Sequence, residues 1–367
     1  MFKFSSIDKK YFLFLMTIFV TFNAVTGCRY HSPQEEQFSF KIDNGLELRG
    51  TLSLPSTHRS VKTIFILVSP PGGSDRNYHG LFKSLAIFLA DNGIASLRFD
   101  NRVYANKKDV NADAVDMFDQ ANDVHSALLG LKKDSRFKNY KIGLVGHSEG
   151  GCSVAIEASR NKDVSFAILL STIGINGNDL SYYQLTNGIK KLKGEHLTEK
   201  DEAIFSDWRD RLDIIASNNN IDSIKLQLSK SKENLLKKHP DFAGKQSIEE
   251  SQKTDSSIWL NKHRIAYIKY KPNLYLSKIT ADVLAICGDK DDKLDCEQNI
   301  NGIKRIFDSS HKQNYKVVVL ENMNHDYQIV GETRPILKSA TPIELNFPDQ
   351  VFFILKEWLA QHEEGKL

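Results

Sequence analysis

Gly146-His147-Ser148-Glu149-Gly150-Gly151 follows the apolar run Tyr140–Val145 and precedes Cys152-Ser153-Val154-Ala155-Ile156-Glu157-Ala158. A buried strand, a serine framed by glycines and a helix are written in that order. Glycine lets the backbone turn tightly, and the helix behind the serine offers free N–H groups and a positive dipole end. On a strand-to-helix turn, G-x-S-x-G lifts a serine hydroxyl into the open. The same letters also occur in bland Gly-rich turns, so their meaning depends on the chain around them.

Around this turn, strands and helices alternate. Upstream, Phe38–Asp43 and Leu46–Leu54 alternate apolar and polar residues about an Asn44-Gly45 turn, which predicts a β-hairpin. Val61–Val68 is a β-branched and aromatic run, as expected of a strand covered on both faces. It ends in Ser69-Pro70-Pro71-Gly72-Gly73-Ser74-Asp75-Arg76-Asn77, after which the pattern predicts a helix over Tyr78–Asn92 and a strand over Ile94–Phe99. Ala114, Met117, Phe118, Ala121, Val124, Ala127, Leu128 and Leu131 recur at helical spacing within Ala112–Leu131. Beyond the serine turn comes a strand over Ser165–Leu170. This order predicts an α/β fold in which a mostly parallel sheet is flanked by helices on both faces.

The alternation stops over residues 174–277, where polar helices replace strands. Ile204, Trp208, Leu212 and Ile215 form one apolar stripe, and Ile221, Ile224, Leu228 and Leu235 another. Such helices need a partner surface, and the ledge above the serine turn supplies one, which suggests an inserted helical cap; a separate helical domain is the alternative. Strands over Ala281–Cys287 and Lys316–Leu320, with helices over Glu297–Phe307 and Phe347–Gln361, then resume the rhythm. The expected layout is a core in two parts, 37–173 and 278–367, interrupted by a cap over 174–277.

The N-terminal 27 residues stand apart. Lys3, Lys9 and Lys10 precede an apolar run, Tyr11–Val20, and small residues follow, which is a secretory signal layout. Val25-Thr26-Gly27-Cys28 resembles a bacterial lipobox, which implies cleavage before Cys28, lipidation of that cysteine, a linker over 28–36 and a lipid-anchored protein of the bacterial cell envelope. A plain signal peptide and an uncleaved anchor are the alternatives; the apolar run is short for a full span. The chain carries a net charge of +3, from 49 basic and 46 acidic residues, and shows no basic cluster, so a nucleic-acid partner is not expected. Cys152, Cys287 and Cys296 remain as an odd set, from which no essential disulfide is predicted, although Cys287 and Cys296 could bridge a loop.

A nucleophilic serine needs a base to take its proton and an acid to hold that base. Cys287-Gly288-Asp289-Lys290-Asp291-Asp292-Lys293-Leu294-Asp295 follows one late strand, and Met323-Asn324-His325-Asp326-Tyr327 follows the next. At these residues the chain resembles a serine hydrolase of the α/β-hydrolase superfamily, similar to bacterial exported esterases with a helical cap, over roughly residues 38–365. The resemblance implies the α/β-hydrolase fold and cleavage of carboxylic esters through an acyl-enzyme. It implies Ser148 as nucleophile, Asp291 at the G-x-x-D position as the orienting acid and His325 of the N-H pair as the base. Asp289, Asp292 and Asp295 are rival acids within the same seven residues. The tetrahedral intermediate would be held by the backbone N–H groups of Glu149 and of Gly72 or Gly73, since Pro70 and Pro71 cannot donate.

Four further positions are read beside that comparison. Asp75-Arg76 matches a D-R pair of the resembled group, but the residues ahead of it are Pro-Pro-Gly-Gly where that group usually has G-S-G-P. Asp100-Asn101-Arg102 stands at a D-x-R position and reads as loop bracing. His147 reads as a satisfied, partly buried histidine, and the Glu149 side chain as a carboxylate stabilised at a helix N-terminus. No zinc or nucleotide-phosphate motif is present in the sequence, so no metal or cofactor is expected. The alternatives to an esterase are a serine peptidase or aminopeptidase of the same fold and a non-catalytic binding lipoprotein.

Overall fold

The computed structural model describes residues 33–55, 61–194, 196–243, 258–331, 345 and 347–362. The expected signal segment and the lipidation site predicted at Cys28 lie outside them. The framework is one sheet of eight strands in the order β1-β2-β4-β3-β5-β6-β7-β8. Its strands are β1 (Gln34–Lys41), β2 (Glu47–Leu54), β3 (Thr63–Val68), β4 (Ala95–Phe99), β5 (Lys141–His147), β6 (Val164–Leu170), β7 (Asp282–Gly288) and β8 (Tyr315–Leu320). Only β2 runs against its neighbours β1 and β4; every pairing from β4 through to β8 is parallel.

Helices cover both faces, as parallel strands require. All six residues of β3 are buried, and their alternation divides them. Ile64, Ile66 and Val68 pack toward α2 (Met117–Lys133), α3 (Glu149–Arg160) and α8 (Cys296–Ser309), while Phe65 and Leu67 pack toward α1 (Leu81–Asp91) and α9 (Asp349–His362). Between β6 and β7 the longer helices among the described residues are α4 (Gly177–Lys193), α5 (Glu199–Ser217), α6 (Ile221–Lys238) and α7 (Lys262–Lys269). Their apolar stripes meet in a cluster of their own, built on Leu212, Ile215, Ile224, Leu228, Trp259 and Ile268. Among the described residues no helix is long and apolar enough to cross a membrane.

Three boundaries differ from the sequence pattern, each for a local reason. Residues 34–36, read as linker, already belong to β1, because backbone pairing of Gln34 with Leu54 does not depend on side-chain polarity. α1 begins at Leu81 and not at Tyr78, because Tyr78, His79 and Gly80 all carry positive φ (45°, 55° and 95°). α2 begins at Met117, where Asp116 and Asp119 form a capping box; Ala112–Ala114 make a separate 3₁₀ turn.

Candidate active site

The turn between β5 and α3 is tight in the way its glycines require. A Cβ on Gly146 would lie 2.4 Å from the Gly150 carbonyl oxygen, and one on Gly150 would lie 2.3 Å from that of Val68. Ser148 between them has φ 55° and ψ −125°, a conformation costing on the order of 1–3 kcal/mol for a non-glycine residue. Its N–H donates to the Leu170 carbonyl at 2.8 Å, which ties the turn to the end of β6. Ser148 is half-exposed, whereas His147 before it and Glu149 after it are buried.

The loops after β7 and β8 are joined by their backbones. The N–H of Asp289 donates to Leu320 O and that of Lys290 to Met323 O, each at 2.9 Å. This brings the Asp291 carboxylate against His325, whose Nδ1–H donates to Asp291 Oδ2 at 2.7 Å. The other oxygen, Oδ1, accepts the N–H groups of Lys293 at 2.9 Å and Leu294 at 2.8 Å. A buried carboxylate that accepts from three donors is held in place. With the hydrogen on Nδ1, His325 keeps the lone pair on Nε2, as a base requires. The other acids of the loop have different partners: Asp289 pairs with Lys290, Asp292 lies 3.9 Å from Lys293, and Asp295 caps α8 by accepting from Gln298 N–H at 3.0 Å.

His147 braces this arrangement from below. Its Nε2–H donates to the His325 carbonyl at 2.8 Å, so its bare Nδ1 accepts from the Tyr78 hydroxyl at 3.0 Å. Complete burial, with His325 close by, pushes the His147 pKa down to about 3, so the ring stays neutral. Gly72, at φ 127°, is exposed in the loop after β3, in a conformation that glycine adopts freely. The loop that carries it is pinned from behind: Gln120 Nε2 donates to Ser69 O at 2.6 Å, and Arg76 binds Asp100 through its backbone N–H at 2.9 Å and its Nε at 3.1 Å. Arg102 binds Asp123 in turn, with Nε 2.9 Å from Oδ2. The D-x-R residues therefore brace the loop, Asp100 through Arg76 and Arg102 through Asp123 of α2.

Compared with solved structures, the chain is similar to an esterase of Pyrococcus furiosus, with 14% identity, 90% of this chain and 91% of that one covered, and a TM-score of 0.54. It is also similar to an α/β hydrolase from Penicillium sp. sh18, with 17% identity, 90% and 99% covered, and a TM-score of 0.52. The chain has the α/β-hydrolase fold. By sequence, no protein-family model matches it, and neither does any curated protein.

In an α/β-hydrolase fold the ends of β5, β7 and β8 share one edge of the sheet, and Ser148, Asp291 and His325 stand there. Sequence reasoning missed a contact from the insertion. His263, in the first turn of α7, places Nε2 2.9 Å from both carboxylate oxygens of Glu149. Burial pushes the Glu149 carboxyl up, and the bond to Glu149 pulls the His263 pKa up, so the two retain a proton between them. Beside it, Lys262 reaches Asp119 at 2.5 Å. A second tie was also missed: Gln184 of α4 donates through Nε2 to Lys293 O at 3.1 Å and accepts from the Tyr267 hydroxyl at 3.2 Å. The only signal for either was a polar residue on an otherwise ordinary helix. Cys152, Cys287 and Cys296 are buried free thiols. Among the described residues no group of three or more His, Cys, Asp or Glu side chains is arranged to hold a metal ion.

Proposed function

We propose that this chain is a serine hydrolase acting on carboxylic esters. The observation that carries the proposal is the half-exposed, strained Ser148 at the head of α3 on the sheet edge that also bears the buried His325–Asp291 pair. Ser148 Oγ attacks the acyl carbon while His325 Nε2 takes its proton, and the carbonyl oxygen becomes an oxyanion. The N–H of Glu149, at the first position of α3, has no carbonyl four residues back in its own helix and is free to hold that oxyanion. The second donor is the N–H of Gly72, with Gly73 as the alternative. Asp291 keeps His325 in the receiving tautomer. When the tetrahedral intermediate collapses, His325 returns the proton to the leaving alkoxide, and the alcohol departs. Water, deprotonated by the same His325, then attacks the acyl-enzyme, and its breakdown releases the acid and restores Ser148.

The esterase named among the similar structures supports the ester over the amide, and the insertion, through His263 and Gln184, is read as the cap over the site. The signal layout supports an exported, lipid-anchored protein, and the similar esterase supports a small-molecule substrate. Ser148→Ala should abolish turnover of p-nitrophenyl butyrate without changing the melting temperature by more than a few degrees, and a fluorophosphonate should label Ser148 alone. Undiminished turnover in Ser148→Ala defeats the proposal, and faster cleavage of an aminoacyl amide than of the ester moves it to a peptidase. Labelling with radioactive palmitate, lost in Cys28→Ser, tests the anchor.

A further inference from the structure

A cavity of about 310 Å³ opens between α4 and α7, lined by Ser181, Gln184, Leu185, His263, Arg264 and Tyr267. Two of these side chains are basic, three are neutral and polar, one is apolar, and none is a carboxylate. Its position is fixed by the two ties from the insertion. His263 touches Glu149, the residue after Ser148, and Gln184 touches the carbonyl of Lys293, two residues beyond Asp291. The cavity therefore borders the residues that flank both the nucleophile and the orienting acid.

The two basic side chains of this cavity differ in their partners. The Glu149 carboxylate meets His263, and together they carry no excess positive charge when one proton is shared. Arg264 is different. It is half-buried, its guanidinium lies over the Trp259 ring 5.7 Å from the centroid, and among the described residues it has no ion-pair partner. By contrast Arg76, Arg102, Arg136, Arg160, Arg209 and Arg211 all meet carboxylates. A half-buried guanidinium in a concave polar site is a strong receptor for a carboxylate, because its planar fork offers two parallel N–H donors. The Ser181 hydroxyl on the facing wall can add a third.

We propose that Arg264 binds a free carboxylate of the substrate, so that the preferred substrates are acidic esters, such as monoesters of short dicarboxylic acids, with the ester carbonyl at Ser148 and the second carboxylate in the α4–α7 cavity. This rests on the hydrolase reading for its catalytic consequence, though not for the binding site itself. Leu185 and the aliphatic stems of the lining offer apolar contact to a methylene chain. Arg264 is in these terms a specificity residue and not part of the proton-transfer machinery.

The test compares the monomethyl esters of succinate, glutarate and adipate with methyl hexanoate, using the full chain and the variants Arg264→Gln and Arg264→Lys. At least one monoester should be cleaved with higher kcat/KM than methyl hexanoate. Arg264→Gln should lower kcat/KM on that monoester by about 10- to 100-fold, mainly through KM, and leave methyl hexanoate within threefold. Arg264→Lys should fall between, since it keeps the charge and loses the fork. Equal losses on charged and neutral esters in Arg264→Gln, or cleavage of methyl hexanoate with no preference for any monoester, overturns the proposal while leaving the hydrolase reading intact. Calorimetric titration of monomethyl adipate into Ser148→Ala separates the two ideas: binding that disappears in Ser148→Ala/Arg264→Gln upholds the site even where turnover is absent, and no binding refutes it.

Discussion

Replacing Asp291 by asparagine probes the site without emptying it. The side chain keeps its shape and one oxygen, which can still accept the Leu294 N–H now 2.8 Å from Oδ1. What changes is the face toward His325. The present 2.7 Å contact needs an acceptor opposite Nδ1–H, and the amide NH2 of asparagine presents a donor. Relief comes when His325 adopts the other tautomer, with the hydrogen on Nε2, where it can no longer take a proton from Ser148. Loss of the negative charge also leaves the imidazolium of the transition state uncompensated. Together these should lower kcat by about 10³- to 10⁴-fold, or ~4–5.5 kcal/mol of transition-state stabilisation, with KM little changed. Stability should fall by about 1–3 kcal/mol, from the charge-assisted bonds lost in a buried site, so rates must be measured well below the shifted melting temperature. Steady-state hydrolysis of p-nitrophenyl butyrate reads the first quantity and calorimetric melting the second. Asp289→Asn, Asp292→Asn and Asp295→Asn should each stay within about threefold of the parent. Retention of more than a tenth of kcat in Asp291→Asn, or an equal loss in any of the other three, refutes the reasoning.

Three other outcomes follow from the same contacts. Gly150→Ala drives a methyl group to 2.3 Å from the Val68 carbonyl oxygen, and the rigid backbone on both sides should make this cost about 1–3 kcal/mol in denaturant unfolding. His147, whose pKa is driven down to about 3 while an unfolded histidine titrates near 6.5, binds its proton less tightly in the folded chain; stability should therefore fall as pH drops below 6.5, by about 1.4 kcal/mol per unit until the folded value is reached. An NMR titration in which the His147 ring protonates near pH 6.5 in the native protein contradicts this. For His263 and Glu149 the sign is opposite, since both are shifted upward and the folded chain holds their protons more tightly; their contribution is complete at low pH and is lost as pH rises through the folded His263 value, above 6.5. Melting temperatures of His263→Gln should lose this alkaline decline, and Glu149→Gln/His263→Gln should be less destabilised than the two single losses added together.

Much of the architecture could be read from periodicity, because parallel strands covered on both faces write unbroken apolar runs such as Ile64–Val68, and amphipathic helices write the spacing seen from Met117 to Leu131. The helix starts were less legible. Tyr78 and His79 are acceptable helix residues by composition, yet Asp75 accepts their neighbourhood's N–H groups, from Asn77 at 3.1 Å and Tyr78 at 2.9 Å, and turns the chain first. At the site, chain order supplied a serine turn, an acid loop and a histidine loop, but four aspartates in seven residues cannot be ranked by composition. What distinguishes Asp291 is the N–H pair of Lys293 and Leu294 and the backbone bonds joining its loop to that of His325, none of which leaves a mark in side-chain identity. The His263–Glu149 pair was invisible for another reason: the two residues are 114 positions apart, and their meeting depends on how α7 docks, which no local pattern records. Glu149 on its own read as a helix-end carboxylate because that role needs no distant partner.

The two backbone bonds between the acid and histidine loops, from Asp289 N–H to Leu320 O and from Lys290 N–H to Met323 O, bear on how the molecule loses and regains order. Opening either loop breaks bonds that the other also depends on, so the pair rises and falls as one cooperative segment. A transient opening that releases Asp291 releases His325 with it. The protein then passes between a state with both groups aligned and one with neither, and spends little time with a buried carboxylate exposed to no partner. The serine turn is anchored separately, by the Ser148 N–H on Leu170 O, so opening of the two loops breaks no bond that holds the nucleophile.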